Sequence, residues 1–316
     1  MPSASGVQFS LKKTSPNGEL TAVISSVAAA LVSLQIDGRE FLVPGPNFAR
    51  TPFLEGVVMA PWVNRLDEAR WISADGPKQL PITDSINRLS NHGLLLDYEY
   101  AATVRSDGEI VLLGNLAASP GYPFDLEIRV TYTLVDYGIA VKFEAVNLSA
   151  TDAPFAIGSH PYLQISPFDT AELVLASSAA SVVLTDERML PVQKIATTST
   201  DFDLTAGRSL NTAHFDNSFT DLAFDEDSKA HTYLEAPDGT VVDLWQSSEL
   251  KHTCIFSPDT YPSASGKIKA IAIEPQTSAA NSFNTGEDLI WLKPGQIWGA
   301  SWGITVFNRQ QLFTFR

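Results

Sequence analysis

Apolar and polar residues alternate with a period of two along much of this chain. Leu126, Ile128, Val130, Tyr132 and Leu134 fall on one side of an extended backbone, with Glu127, Arg129, Thr131 and Thr133 between them. That is the pattern of a strand buried on one face. It resumes at Ile139, Val141, Phe143 and Ala145 after Asp136-Tyr137-Gly138, so the two runs predict an antiparallel hairpin. Positions 233–245 predict a second hairpin folded at Pro237-Asp238-Gly239, and shorter strands are expected at 173–175 and 181–184. Towards the C-terminus Ile271 and Ile273 alternate ahead of Glu274-Pro275, and a strand-like run over 297–306 follows the turn Pro294-Gly295. Helical periodicity is nearly absent, with single helical turns expected only near 47–51 and 212–215. Nineteen prolines and nineteen glycines supply the turns that so many strands need. No internal repeat or linker divides the chain. The expectation is all-β: one large antiparallel domain over 1–316, built as a sandwich of two packed sheets.

Composition narrows the possible partners. The 316 residues are 44% hydrophobic and 18% charged, enough apolar material for a large core. A net charge of −15 argues against nucleic acid and against an anionic membrane, since the 21 lysines and arginines form no cluster longer than Lys12-Lys13. Cys254 is the only cysteine, so no internal disulfide forms and a cytoplasmic location is expected. Lys12-Lys13 and the apolar stretch 22–34 have the outline of a signal peptide, but Ser25, Ser26 and Ser33 interrupt it. A strand pair of the folded domain is the better reading. No stretch approaches a membrane span.

Five segments place polar groups where chemistry is possible. Glu274 ends an apolar strand, where burial and a restricted rotamer would suit a general base; the alternative is a strand cap bonded to backbone donors. Asn64-Arg65 follows the apolar stretch 57–62, and the guanidinium offers a planar fork for sugar hydroxyls or a carboxylate. Arg65 equally suits an ion pair with Asp67 or Glu68. His92 lies between a polar turn and an apolar run, and His160 lies between Gly158 and Pro161; either could instead be a core histidine bonded to backbone carbonyls. Asp216 precedes an apolar strand and could simply start a turn. The five histidines show no metal-ligand spacing and Cys254 has no companion, so no metal site is expected.

Together these motifs resemble the aldose 1-epimerase (galactose mutarotase) family. The likeness is carried by APWVNRL at 60–66, HGL at 92–94, GSHPYL at 158–163, FDNSFTDL at 215–222 and EPQTSAANSFNTGEDL at 274–289, with SVAAALVSLQIDGREFL at 26–42 similar to the family's first strands. The motifs occur in the family's order along nearly the whole chain, and EPQTSAANSFN is similar to its bacterial branch. Val63 stands where many relatives have proline, and a glutamine that contacts sugar in some relatives has no clear counterpart.

The resemblance implies a galactose mutarotase-like β-sandwich and an isomerase that needs no cofactor and no metal. Its substrate would be a small sugar such as galactose or glucose. It implies Glu274 as general base and His160 as general acid, with Asn64, Arg65, His92 and Asp216 touching the sugar and Tyr162 lining the cleft. A carboxylate base (ordinarily about 4.3) and an imidazolium acid (about 6.5) would make activity fall below the first pKa and above the second. Three other readings compete. Asp216 and Glu274 could be a glycosidase carboxylate pair, the fold could serve as a non-catalytic sugar-binding domain, or the substrate could be a phosphosugar.

Overall fold

The computed structural model describes residues 6–16, 18–43, 53–263 and 266–309. Among them the strands form two large sheets and several small ones. The nine-stranded sheet runs in the order Ala101–Arg105, Glu109–Leu116, Leu126–Val135, Gly138–Asn147, Ile297–Asn308, Thr240–Ser247, Lys229–Glu235, Val174–Ser177, Arg208–Ser209. The eight-stranded sheet runs Pro191–Ala196, Ser181–Thr185, Asp216–Thr220, His252–Phe256, Ile271–Gln276, Gly158–Ser159, Val58–Met59, with Tyr162–Leu163 also paired to Ile271–Gln276. A four-stranded sheet built from Gln8–Ser15, Gly18–Ser25, Leu31–Ile36 and Arg39–Glu40 contains the segment with the outline of a signal peptide, here an antiparallel strand pair.

Both predicted hairpins are present. Leu126 pairs with Asn147 and Val135 with Gly138, so the alternating apolar positions of the two strands face the core together. Thr240–Ser247 pairs with Lys229–Glu235 across the predicted turn. Residues from both large sheets, among them Val130, Phe143, Ile304, Phe219, Ile255 and Ile273, join one buried cluster. Stacking the inner faces about 10 Å apart removes these side chains from water, the main stabilising term of such a sandwich.

Helix is confined, among the described residues, to Ser282–Thr285, the 3-10 turns Asp67–Ala69 and Thr170–Glu172, and a 3-10 residue at Arg309. The turn expected at 212–215 is not helical: residues 210–212 form a turn and 213–215, without regular structure, lead into the next strand. The backbone there is committed to delivering Phe215 into the core. The turn expected at 47–51 lies outside the described residues. None of the described helices is long and apolar enough to cross a membrane.

Two loops reach the outer face of the eight-stranded sheet through one close contact. Gly93 forms a bridge with Ala60, at φ +83°, and a Cβ there would sit 2.0 Å from the Ala60 carbonyl oxygen. Only glycine tolerates both the backbone conformation and the approach. Gly93→Ala is therefore expected to lower stability by about 2 kcal/mol or more, the cost of one strained residue plus a steric clash. Urea unfolding measures this; a midpoint equal to the parent's would show that the contact yields without strain.

Candidate active site

The site follows from the alternation of one strand. Along Ile271–Gln276, Ile271 and Ile273 point into the core between the sheets, which leaves Ala272, Glu274 and Gln276 on the opposite face. Cys254 is the cross-strand partner of Glu274, Ser218 that of Cys254, and Asp216 that of Phe256. Asp216, Cys254, Phe256 and Glu274 thus share one face of the sheet. Segments carrying Phe53, Leu54, Asn64, Arg65, Asn91, His92 and His160 cover that face and enclose a cavity of about 200 Å³. Six of the seven residues expected from the sequence are in its wall.

His160 Nε2 lies 3.4 Å from Glu274 Oε1, and the two residues are 5% and 2% exposed. The other carboxyl oxygen of Glu274 accepts a hydrogen bond from Gln276 Nε2 at 2.8 Å. Glu274 is thus held by a side-chain amide within its strand, not as a cap on backbone donors. Arg65 does not pair with Asp67 or Glu68, which bind Arg188 at 2.8 and 3.1 Å. Its two terminal nitrogens fork onto Asp216, at 3.4 and 3.1 Å, and Nη1 also donates to Asn64 Oδ1 at 3.2 Å.

Asn64 and His92 both adopt left-handed backbone, φ +54° and +60°, and the His92 N–H donates to the Asn64 carbonyl at 2.8 Å. Such conformations persist only where surrounding contacts over-determine them. Here they turn both side chains into the cavity. The His92 ring meets His160 edge-on, centroids 5.5 Å apart, and its Nδ1 has no hydrogen-bond partner among the described residues.

Tyr162 is the exception to the expected set. It does not form the wall; it stacks behind His160 at 5.3 Å and 25°, fixing the ring plane. His160 and Pro161 interrupt the strand between Gly158–Ser159 and Tyr162–Leu163, so strand alternation does not set how the two rings face each other. Phe53, Phe256, Asn91, Cys254 and Gln276 were not foreseen. Gln276 was legible in principle, two positions from Glu274 on the same face. Cys254 was not, because its place opposite Glu274 depends on strand register.

Burial reverses the order of the two titrating groups. It pushes Glu274 up from 4.5 to about 8, helped by the negative charge of Asp216 and opposed by Arg65 and the Gln276 hydrogen bond. It draws His160 down from 6.5 to about 4, with the positive charge of Arg65 acting in the same direction. The pair accordingly holds a single proton between about pH 4 and 8, and that proton resides on the carboxyl. The expected acidic carboxylate and basic imidazole are exchanged. Asn64 Nδ2 lies 3.6 Å from Cys254 Sγ, and burial raises that thiol's pKa well above its usual value. Among the described residues no group of three or more His, Cys, Asp or Glu side chains is placed to hold a metal ion.

The sequence model of the aldose 1-epimerase family matches residues 13–305. The chain belongs to the aldose 1-epimerase family. Membership makes it an isomerase of small sugars. This epimerase is 24% identical, over 286 residues and 88% of each chain, to an uncharacterized protein of Escherichia coli strain K12, YihR. Its fold matches that of a GalM/aldose epimerase homologue from C. elegans, with a TM-score of 0.83 and 18% identity over 96% of this chain and 99% of that one. A galactose mutarotase-like protein from Clostridium acetobutylicum superposes with a TM-score of 0.81 at 20% identity, over 96% and 98% of the two chains.

The two shifted groups leave a mark on the epimerase's stability. Glu274, raised in the native state, contributes stability that is fully present below about pH 4.5 and lost as pH rises to about 8, because the unfolded chain releases that proton first. His160, lowered in the native state, contributes stability that is fully present above about pH 6.5 and lost as pH falls to about 4. The two slopes oppose each other between pH 4.5 and 6.5, leaving the Glu274 loss alone between 6.5 and 8. Glu274→Gln is therefore expected to gain stability relative to the parent as pH rises from 6.5 to 8. Parallel urea titrations at the two pH values test it, and a constant difference would show that Glu274 is not protonated in the native site.

Proposed function

We propose that the chain, acting as one β-sandwich domain in the cytoplasm, interconverts the α and β anomers of a free aldohexose such as galactose or glucose. The observation that carries this reading is the pair His160 Nε2 and Glu274 Oε1, 3.4 Å apart in the wall of a cavity of about 200 Å³. Anomer exchange removes a proton from the C1 hydroxyl and delivers one to the ring oxygen. The open aldehyde then rotates about C1–C2 and recloses on its other face. A pair holding one proton between two heteroatoms supplies both halves of that transfer and is restored by reclosure.

In the protein alone the proton rests on Glu274. A sugar whose C1 hydroxyl donates to Glu274 and whose ring oxygen faces His160 gives each charged form the hydrogen bond it otherwise lacks. That shifts the pair towards carboxylate and imidazolium, Glu274 as base and His160 as acid. Arg65, held by Asp216 and Asn64, presents its remaining N–H groups to hydroxyls that stay in place through ring opening, and His92 lines the same wall.

The competing readings fit less well. A glycosidase would need Asp216 as a free partner carboxylate, whereas both of its oxygens are engaged by Arg65. Mere sugar binding gives no reason to bury two titratable groups against each other, an arrangement that costs stability.

If these groups move the protons, Glu274→Gln and His160→Asn should each lower kcat on the order of 10²–10⁴-fold while KM changes little. Because both act on one event, the double variant should lose far less than the product. The parent's rate should hold level between about pH 4 and 8 and fall on either side. Polarimetry of freshly dissolved α-anomer, corrected for the spontaneous rate, reads all three. A folded Glu274→Gln protein with near-normal kcat would sink the mechanism.

Free hexoses are also expected to turn over faster than their phosphates. Arg65, the one cation among the described residues of the cavity wall, is already engaged by Asp216, and the chain carries a net charge of −15. Anomer-exchange NMR on glucose and glucose 6-phosphate compares them, and faster exchange of the phosphate would reassign the substrate.

A further inference from the structure

We propose that Gln276 is a positioning residue of the epimerase reaction, selecting which oxygen of Glu274 carries the exchangeable proton. The inference rests on the role of Glu274 argued above. Gln276 lies two residues along the same strand and on the same face, is fully buried, and donates from Nε2 to Glu274 Oε2 at 2.8 Å. A carboxylic acid accepts best at its carbonyl oxygen. A fixed N–H on Oε2 therefore makes Oε2 the carbonyl and leaves the hydroxyl on Oε1, the oxygen 3.4 Å from His160 Nε2. Once the proton has left, the same N–H stabilises the carboxylate. The Cys254 thiol, cross-strand from Glu274, is the carboxyl's other side-chain hydrogen-bond partner but a weak one. Without the amide the acid could therefore carry its hydrogen on either oxygen, and on Oε2 it would not be on the oxygen nearest His160.

Two features set Gln276 apart from an ordinary buried amide. Its own carbonyl oxygen is buried and has no hydrogen-bond partner among the described residues. An unpaired oxygen is costly in a core, so satisfying its own polar groups does not explain the residue. Its seat is also cut by the segment that delivers His160. Gly158 is the backbone partner of Gln276, and a Cβ at 158 would lie 2.9 Å from Gln276 Cγ and 2.8 Å from the Pro275 carbonyl oxygen. The glycine that opens the way for His160 two residues later thus makes room for the amide as well.

Gln276→Met keeps the length of the side chain and removes the donor. Its kcat is expected to fall about ten- to a hundredfold, the worth of one hydrogen bond to a charged group, with KM nearly unchanged. The carboxylate loses a stabilising partner, so the alkaline limb of the rate profile should move to higher pH, which a purely structural loss would not produce. A folded Gln276→Met protein with the parent's kcat and pH profile overturns the inference. The parent supplies an independent reading whether or not that variant folds: the side-chain amide NMR resonances of Gln276 should titrate with the midpoint of the alkaline limb. Resonances that stay flat across the limb overturn the proposal. Glu274→Gln, measured beside them, separates the two failures. Near-normal activity there removes the base itself and both readings with it, whereas an inactive Glu274→Gln beside a parent-like Gln276→Met overturns the positioning role alone.

Discussion

Glu274 and His160 meet at 3.4 Å where burial penalises a charge on either one. That constraint sets the character of the site. In water the carboxyl would be the stronger acid by about two pKa units. Removed from water, each group is driven towards its neutral form, and the order of the two reverses. What remains constant is the count: one proton for two acceptors across a broad range of pH. Anomer exchange asks for one group to take a proton while another gives one, and a singly protonated pair meets that demand from either microstate.

The rest of the architecture keeps water out and keeps the two groups in register. The eight-stranded sheet uses one face for the common core, through Phe219, Ile255, Ile271 and Ile273. Its other face, around the cavity, is covered by loops and by the short strand pair Arg65–Leu66 with Ser90–Asn91. Loops can present polar side chains inward only if their backbone is tightly held, and here the restraints are specific. Gly93 abuts Ala60, Asn64 and His92 take left-handed conformations and bond to each other, and Arg65 is clamped by Asp216 from the sheet below. The clamp has a second consequence: it brings a carboxylate and a guanidinium close enough to Glu274 to pull its pKa in opposite directions.

Much of the sandwich could be read from the chain, because a strand exposed to water on one face must alternate. The hairpin at 126–147 and the strand Lys229–Glu235 follow that rule, whereas Thr240–Ser247 is buried on both faces over most of its length. Six of the seven expected site residues also reach the cavity, since each sits at a break between an apolar run and a turn, where a polar group is conspicuous. Alternation fails where both faces are buried. Every residue of Ile271–Gln276 is inaccessible, so hydropathy alone does not say which side chains face the site.

Sequence by itself determined that the chain is an antiparallel β protein of the aldose 1-epimerase kind, because periodicity and motif order are local properties that survive without coordinates. It also singled out Glu274 and His160, which the fold brings to 3.4 Å. Tertiary structure decided the remainder. That Arg65 is held by Asp216 and not by its neighbours Asp67 and Glu68, that Cys254 faces Glu274, and that Tyr162 supports His160 from behind are consequences of register between segments far apart in the chain. The protonation of the pair is decided at the same level, because a pKa answers to how much water and charge surround a group, and both are set only when distant segments close over it.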